Sequence, residues 1–213
     1  MNPGLAARLA FLAAWASLGG LATTSCRTVH DIKVDAISAS ARPSGQAYRL
    51  IVQQPANLSV SEESQAGVTA RIRTALARRG FHEAPAGTAP DIEITAAHGV
   101  GPAQLKFRYK PRDMLGIDLW GKLPPKGGAE PITVFEKYLK LSAHEATRSV
   151  GQRGEEVWSV HVSVEDEGKE LEACLDALIA VLTDHIGEHV PAETMVRIKA
   201  EDASRSARHS PGG

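Results

Sequence analysis

The amino-acid sequence predicts an α+β domain with a mixed or mainly antiparallel sheet of about five to six strands and two helices packed on one face. Apolar and polar residues alternate strictly from Val157 to Val164, which is typical of a strand with one buried face. Apolar residues recur at spacings of three and four from Leu171 to Ile186, which indicates an amphipathic helix. The predicted order is strand, strand, helix, strand, hairpin, helix, and this order favours the α+β class.

Length and charge limit the classes of partner. The 213 residues are enough for one domain of ordinary size. The chain has 24 Lys plus Arg against 25 Asp plus Glu, a formal net charge of -1. Such a balance gives no broad attraction to nucleic acid phosphates or to anionic lipid head groups. No nucleic acid partner is therefore expected.

Residues 1–25 have the organisation of a secretory signal peptide. Residues 1–8 carry one positive charge and no acid, and residues 9–22 contain no charged residue. A permanent transmembrane anchor is the alternative, but the apolar run is shorter than the ~20 residues that a spanning helix needs. We therefore expect residues 1–25 to be removed from the mature protein.

The segment TTSC, which ends at Cys26, follows this apolar run directly. It resembles the lipobox of bacterial lipoproteins, in which small residues precede a cysteine that is lipidated and becomes the new amino terminus. The resemblance implies acyl chains on Cys26 that hold the protein on a membrane without crossing it. Arg27 stands where an inner-membrane lipoprotein would carry aspartate, which implies the periplasmic face of the outer membrane. Cleavage after Ala22 is the alternative and would leave Cys26 free or bonded to Cys174.

The mature part begins with a predicted tether, residues 26–31, followed by a single domain over residues 32–199. The segment Asp31–Ser38 alternates apolar and polar residues and predicts the first strand. A turn-rich stretch then leads to Ala47–Gln53, which predicts the second strand.

The first helix is predicted from its end signals. Ser59 and Glu62 form an S-x-x-E capping box, which marks a helix start. Gly80 is the expected left-handed cap, and Phe81 is the apolar contact beyond it. A third strand is predicted at Asp91–Val100.

An irregular insertion is predicted at about residues 101–131, where apolar residues are bracketed by proline and glycine. Long loops without secondary structure are usually functional or mobile. Aromatic residues make up only 5% of the chain, so their presence in this segment singles it out as the candidate surface for contact with a partner. The candidate residues are Phe107, Tyr109, Met114, Leu115 and Trp120.

The carboxyl-terminal half is predicted as a long hairpin, a helix and a tail. Residues Ile132–Ala146 and Glu155–Glu165 form the hairpin, whose buried face is aliphatic. The helix follows and ends near Gly187. Residues 190–200 predict an edge strand, and residues 200–213 are too polar to pack, which predicts a disordered tail.

A V-W-S-V-H-V strand before the last helix and P-D-I-E-I after the first helix accompany the lipobox-like cysteine. In this combination the chain resembles the uncharacterised small outer-membrane lipoproteins that are grouped as domains of unknown function. The resemblance implies an antiparallel or mixed sheet with helices on one face, and it supplies no catalytic residues.

Histidine motifs are the candidates for chemistry. His144 begins H-E-A-T-R, but Arg148 replaces the second histidine of the H-E-x-x-H zinc motif, and the segment reads as a strand. His185 and His189 have the spacing of metal ligands one helical turn apart. Their alternative role is to complement the dipole at a helix end. The sequence predicts no metal site and no cofactor.

The sequence predicts a non-enzymatic binding or assembly module that is held in the cell envelope by lipid on Cys26, with a possible envelope protein as partner. The alternatives are a secreted periplasmic hydrolase, which needs distant His, Asp or Glu side chains to converge, and a metal-binding protein that uses His185 and His189. No nucleophile elbow, Walker loop or dinucleotide-binding glycine motif is present in the sequence.

Overall fold

The computed structural model describes residues 29–39, 45–53, 62–109, 129–147 and 153–203. These residues form an α+β fold with one seven-stranded mixed sheet in the order β3-β2-β4-β5-β6-β1-β7. The strands are β1 (Val29–Ser38), β2 (Ala47–Gln53), β3 (His82–Glu83), β4 (Ile92–Tyr109), β5 (Ala129–Glu145), β6 (Glu156–Asp166) and β7 (Thr194–Lys199).

The prediction of five to six strands was too low. One source of the difference is β3, whose two residues are too few to produce a periodic pattern. The strand β2 pairs in parallel with β3 and β4, whereas the pairs β4–β5, β5–β6, β6–β1 and β1–β7 are antiparallel. A parallel pair needs a crossover connection. Here the connection between β2 and β4 contains the helix α1 (Glu62–Arg78), and α2 (Glu172–His185) follows β6.

A single buried cluster joins the sheet to both helices. Alternate residues of the four central strands point into it because successive side chains of a strand face opposite sides. The helices contribute their apolar stripes, which pack against this face. The fully buried members include Ile32, Val34, Ile72, Leu76, Ile94, Leu139, Leu141, Trp158, Val160, Val162, Leu178 and Leu182.

The predicted end of the first helix is confirmed. Gly80 has a φ of 86°, in the left-handed region that favours glycine. The amide of Phe81 donates to the carbonyl oxygen of Leu76 at 3.1 Å, and its ring packs against Trp158 with the centroids 5.8 Å apart. Ser59, the first residue of the predicted capping box, lies outside the described residues.

The irregular insertion predicted at residues 101–131 is wrong at both of its ends. The strand β4 continues to Tyr109, and β5 begins at Ala129. A shift of register between Val100 and Ala103 takes up Gly101 and Pro102, because a β-bulge accommodates a residue that cannot donate to the ladder. Residues 110–128 lie outside the described residues.

Two predicted terminal segments also need correction. Residues 29–31 of the tether are strand residues of β1, and the side chain of His30 is buried. Residues 200–203 of the predicted tail form a helical turn, in which Ala203 is buried in the core. The signal peptide, Cys26 and residues 204–213 lie outside the described residues.

Candidate functional site

The outer parts of β4 and β5 form a two-stranded ribbon, defined here as residues 103–109 paired with residues 129–135. The neighbouring strand β6 ends at Asp166, whose partner on β5 is Phe135. On the other side, β2 ends at Gln53, whose partner on β4 is Ala97. The ribbon therefore projects past the ends of both adjacent strands.

One face of the ribbon exposes large apolar side chains. Leu105 is 67% exposed and Phe107 is 68% exposed. They lie two residues apart on β4 and therefore share a face. Their partners across the ladder on β5 are Thr133 and Pro131. Among the described residues, these are the two most exposed of the large hydrophobic side chains.

The other face of the ribbon is held by ion pairs. The Nζ of Lys106 donates to Glu165 at the end of β6, and Arg108 donates to Glu167 just beyond it. The Nζ of Lys33 lies 3.6 Å from Glu165 on its other side. These ammonium groups, above all the hydrogen bond from Lys106, hold the pKa of Glu165 below its usual range. The ribbon is thus tied to the end of β6 through its polar face.

The predicted contact residues are only partly described. Phe107 lies on the apolar face of the ribbon, and Tyr109 is the last described residue of β4. Met114, Leu115 and Trp120 lie outside the described residues. Leu105 was not among the predicted contact residues, although the alternation Leu105, Lys106, Phe107, Arg108 is itself a period-two strand signal.

A buried cation, Lys137 of β5, lies near the end of β6. The side chain of Lys137 is 0% exposed, and its Nζ donates to the carboxylate of Asp166 at 2.9 Å. This hydrogen bond from Lys137 holds the pKa of Asp166 below its usual range. Lys137 was also missed, yet it precedes Leu139, Leu141 and Ala143 at a spacing of two, which assigns it to the buried face.

Two histidines are buried on the same side of the sheet as this cation, and burial lowers the pKa of each. His30 feels the charges of Asp166 and Lys137 in addition to its desolvation. His98 is 1% exposed, and neither ring nitrogen has a hydrogen-bond partner among the described residues. The carboxylate of Glu172 opposes the effect of burial on the pKa of His98. An uncharged imidazole at this site avoids the cost of burying a charge.

The predicted histidine pair is not brought together on a helix. The helix α2 ends at His185, and Gly187 follows with a φ of 70°. His189 therefore lies beyond the helix and not one turn along it. The Nδ1 of His185 donates to the Val181 carbonyl oxygen at 2.9 Å. The alternative metal-binding role required His185 and His189 to lie one turn apart on a helix, and they do not.

His144 and Glu145, the first two residues of H-E-A-T-R, are the last two residues of β5, in agreement with the strand prediction for this part. The Nδ1 of His144 donates to the Gly154 carbonyl oxygen at 3.2 Å, and its Nε2 lies 3.9 Å from Glu156. Arg148 lies outside the described residues. Within the described ranges, no three His, Cys, Asp or Glu side chains are grouped so that they could hold a metal ion.

Cys174 is a buried free thiol on α2. Its Sγ donates to the Leu171 carbonyl oxygen at 3.3 Å. Burial raises the pKa of Cys174 to about 11, so the thiol stays protonated at neutral pH. The position suits a small apolar residue of the core.

None of the helices in the described part of the chain is long and apolar enough to cross a membrane. No protein-family model and no curated protein matches the chain. Two solved structures are similar in part. A PelC dodecamer from Paraburkholderia phytofirmans is 13% identical, with 75% of this chain and 99% of that chain covered and a TM-score of 0.42. A PDZ domain protein from Parabacteroides distasonis is 10% identical, with 88% and 42% covered and a TM-score of 0.43.

Proposed function

We propose that this protein is a lipid-anchored module of the cell envelope that binds or assembles with a partner and does not act as an enzyme. The observation that carries the proposal is the ribbon, whose one face is polar and ion-paired while the other exposes Leu105 and Phe107. Exposed apolar side chains grouped on one projecting face mark an interaction surface.

The anchor is proposed from the sequence, because the TTSC segment resembles a lipobox. Two or more acyl chains on one cysteine make a stable anchor, at ~0.8 kcal/mol per buried methylene. The module would then face the periplasm from the outer membrane, which is the location that Arg27 favours by the same resemblance.

Metabolic labelling with radioactive palmitate tests the anchor. The wild-type protein is expected to incorporate label and to sediment with membranes, whereas Cys26→Ser loses the label and becomes extractable without detergent. Cys174→Ala is the matched control, because it removes the other cysteine of the chain and should keep the label. An unlabelled wild-type protein, or label retained by Cys26→Ser, would contradict the proposal.

The binding surface is tested by photocrosslinking from the ribbon in cells. The photoreactive amino acid p-benzoylphenylalanine replaces Phe107, whose exposed side chain tolerates the larger ring. The proposal expects a specific adduct at this position and none at Asp176, which is exposed on α2. Equal labelling of both positions would contradict a dedicated contact surface on the ribbon.

A further inference from the structure

The ribbon projects from the same end of the sheet at which β1, the first strand, begins. In the register of β1 with β6, Lys33 faces Ser163, so that Val29 lies toward the Asp166 end of β6. Asp166 in turn faces Phe135, where the ribbon begins on β5. The first residue of β1 and the base of the ribbon are therefore at one end of the sheet, and Ile37 is at the other.

The distance between the proposed anchor and this end is short. Cys26 precedes Val29 by three residues. A chain spans at most ~3.3–3.6 Å per residue, so acyl chains on Cys26 would hold the start of β1 within about 10 Å of the membrane surface. The ribbon strands have seven residue pairs and a contour length of about 20 Å at ~3.4 Å per residue. The ribbon is thus long enough to reach the membrane from this end.

We infer that the apolar face of the ribbon, formed by Leu105 and Phe107, lies in the interfacial region of the lipid bilayer that carries the acylated Cys26. The inference rests on the proposed lipid anchor and specifies the partner of the ribbon surface as lipid. An aromatic and an aliphatic side chain gain free energy on leaving water for the acyl boundary. The same insertion fixes the orientation of the domain on the membrane, which an acyl anchor at one point of the chain does not fix alone.

The charges of the ribbon favour an apolar contact with the bilayer over an electrostatic one. Lys106 and Arg108 are each paired with a glutamate of the same domain. Cations that are already paired release little free energy on meeting an anionic head group. The inserted face should therefore enter vesicles of zwitterionic phosphatidylcholine as well as vesicles that contain anionic lipid.

The test uses the mature, acylated protein, which begins at Cys26, reconstituted into phosphatidylcholine vesicles with p-benzoylphenylalanine at position 107. The matched control carries the same photoreactive residue at position 37, since Ile37 is also an exposed apolar side chain of the sheet but lies at the far end of β1. After irradiation, mass spectrometry of the tryptic peptides identifies what each position has bonded to. The expected result is a phospholipid adduct at position 107 and none at position 37.

Each other outcome overturns the inference in a recognisable way. An adduct of position 107 with a second copy of this chain shows that the ribbon contacts protein and not lipid, and leaves the lipid-anchored module intact. Palmitate-labelled protein without any phospholipid adduct at position 107 shows that the ribbon stays in water. Wild-type protein that takes up no palmitate removes the anchor itself, which separates failure of the proposed function from failure of this inference.

Discussion

Lys137 and Asp166 form an ion pair in which the lysine side chain is completely buried and the carboxylate is 43% exposed. The pair connects β5 to the end of β6 at the base of the ribbon. A buried charge that loses its partner is costly, because the low-dielectric interior cannot solvate it.

The first prediction concerns this pair. Asp166→Asn should lower the free energy of unfolding by about 2 kcal/mol, less than the ~3–5 kcal/mol of a fully buried pair because water reaches Asp166. Lys137→Met should cost less, since an apolar chain of similar length needs no partner. Urea unfolding followed by circular dichroism measures both changes.

An exposed pair provides the control for that measurement. Arg71 and Asp176 join the two helices, and both side chains are substantially exposed. Asp176→Asn should change the free energy of unfolding by about 0.5 kcal/mol or less. Equal losses for Asp166→Asn and Asp176→Asn would show that burial of Lys137 has no energetic role.

The second prediction concerns pH. Burial lowers the pKa of His98 in the folded protein, so between the usual pKa of about 6.5 and the lowered value the unfolded chain binds more protons. The free energy of unfolding should therefore decrease as the pH falls through about 6.5. His98→Leu should reduce this slope, which unfolding titrations between pH 7.5 and pH 5, about the range over which histidine titrates, would measure.

Part of the slope should remain in the His98→Leu variant, because burial also lowers the pKa values of His30 and His161. The double variant His30→Leu with His98→Leu should have a smaller slope than either single variant. A slope equal to that of the wild-type protein in His98→Leu would mean that His98 takes up no proton on unfolding.

The third prediction compares two glycines. A Cβ at Gly154 would overlap the carbonyl oxygen of Glu145 and lie 2.8 Å from its carbon, and backbone atoms cannot move aside as a side chain can. Gly154→Ala should therefore lower the free energy of unfolding by about 1–3 kcal/mol, the usual cost of forced overpacking. Gly67→Ala is the matched control: the helix α1 has open space at that position, and alanine should raise stability by about 0.5–1 kcal/mol. Thermal unfolding distinguishes the opposite signs.

The fourth prediction concerns Cys174. With a pKa of about 11 and a buried side chain, the thiol has on the order of 0.1% thiolate at pH 8, and reagents cannot reach it in the folded state. In Cys26→Ser, where Cys174 is the only cysteine, reaction with a thiol reagent should follow the population of unfolded protein in urea. Rapid reaction without denaturant would contradict the buried position.

The periodicity of apolar residues predicted the elements that have one apolar and one polar face. The alternation in β6 correctly assigned Trp158 and Val160 to the core. The bounds of β2, Ala47–Gln53, were predicted from its apolar content and from the turn-rich stretch before it, and they are those in the structure. In these strands burial is decided by the strand's own side chains, so the pattern is local and can be read from the sequence.

The alternation from Leu105 to Arg108 indicates a strand, but the continuation of β4 into the ribbon could not be predicted in the same way. Gly99, Gly101 and Pro102 interrupt the pattern of β4, and such residues usually indicate a turn. The strand continues because β5 supplies a partner at Ala129–Phe135, on the other side of a bulge. Pairing between segments this far apart in sequence is a tertiary effect, and a local pattern does not contain it.

The strands of the ribbon are also the two central strands that lie between β2 and β6, and each runs for 17 or 18 residues from the core to the ribbon. The strand β5 runs from the packed part into the projecting part without interruption, and on β4 only the bulge at Gly101 and Pro102 lies between them. Because β5 is continuous across this junction, a movement of the ribbon relative to the core would have to bend β5. A force applied to Phe107 therefore reaches the packed part of the sheet through the paired strands β4 and β5.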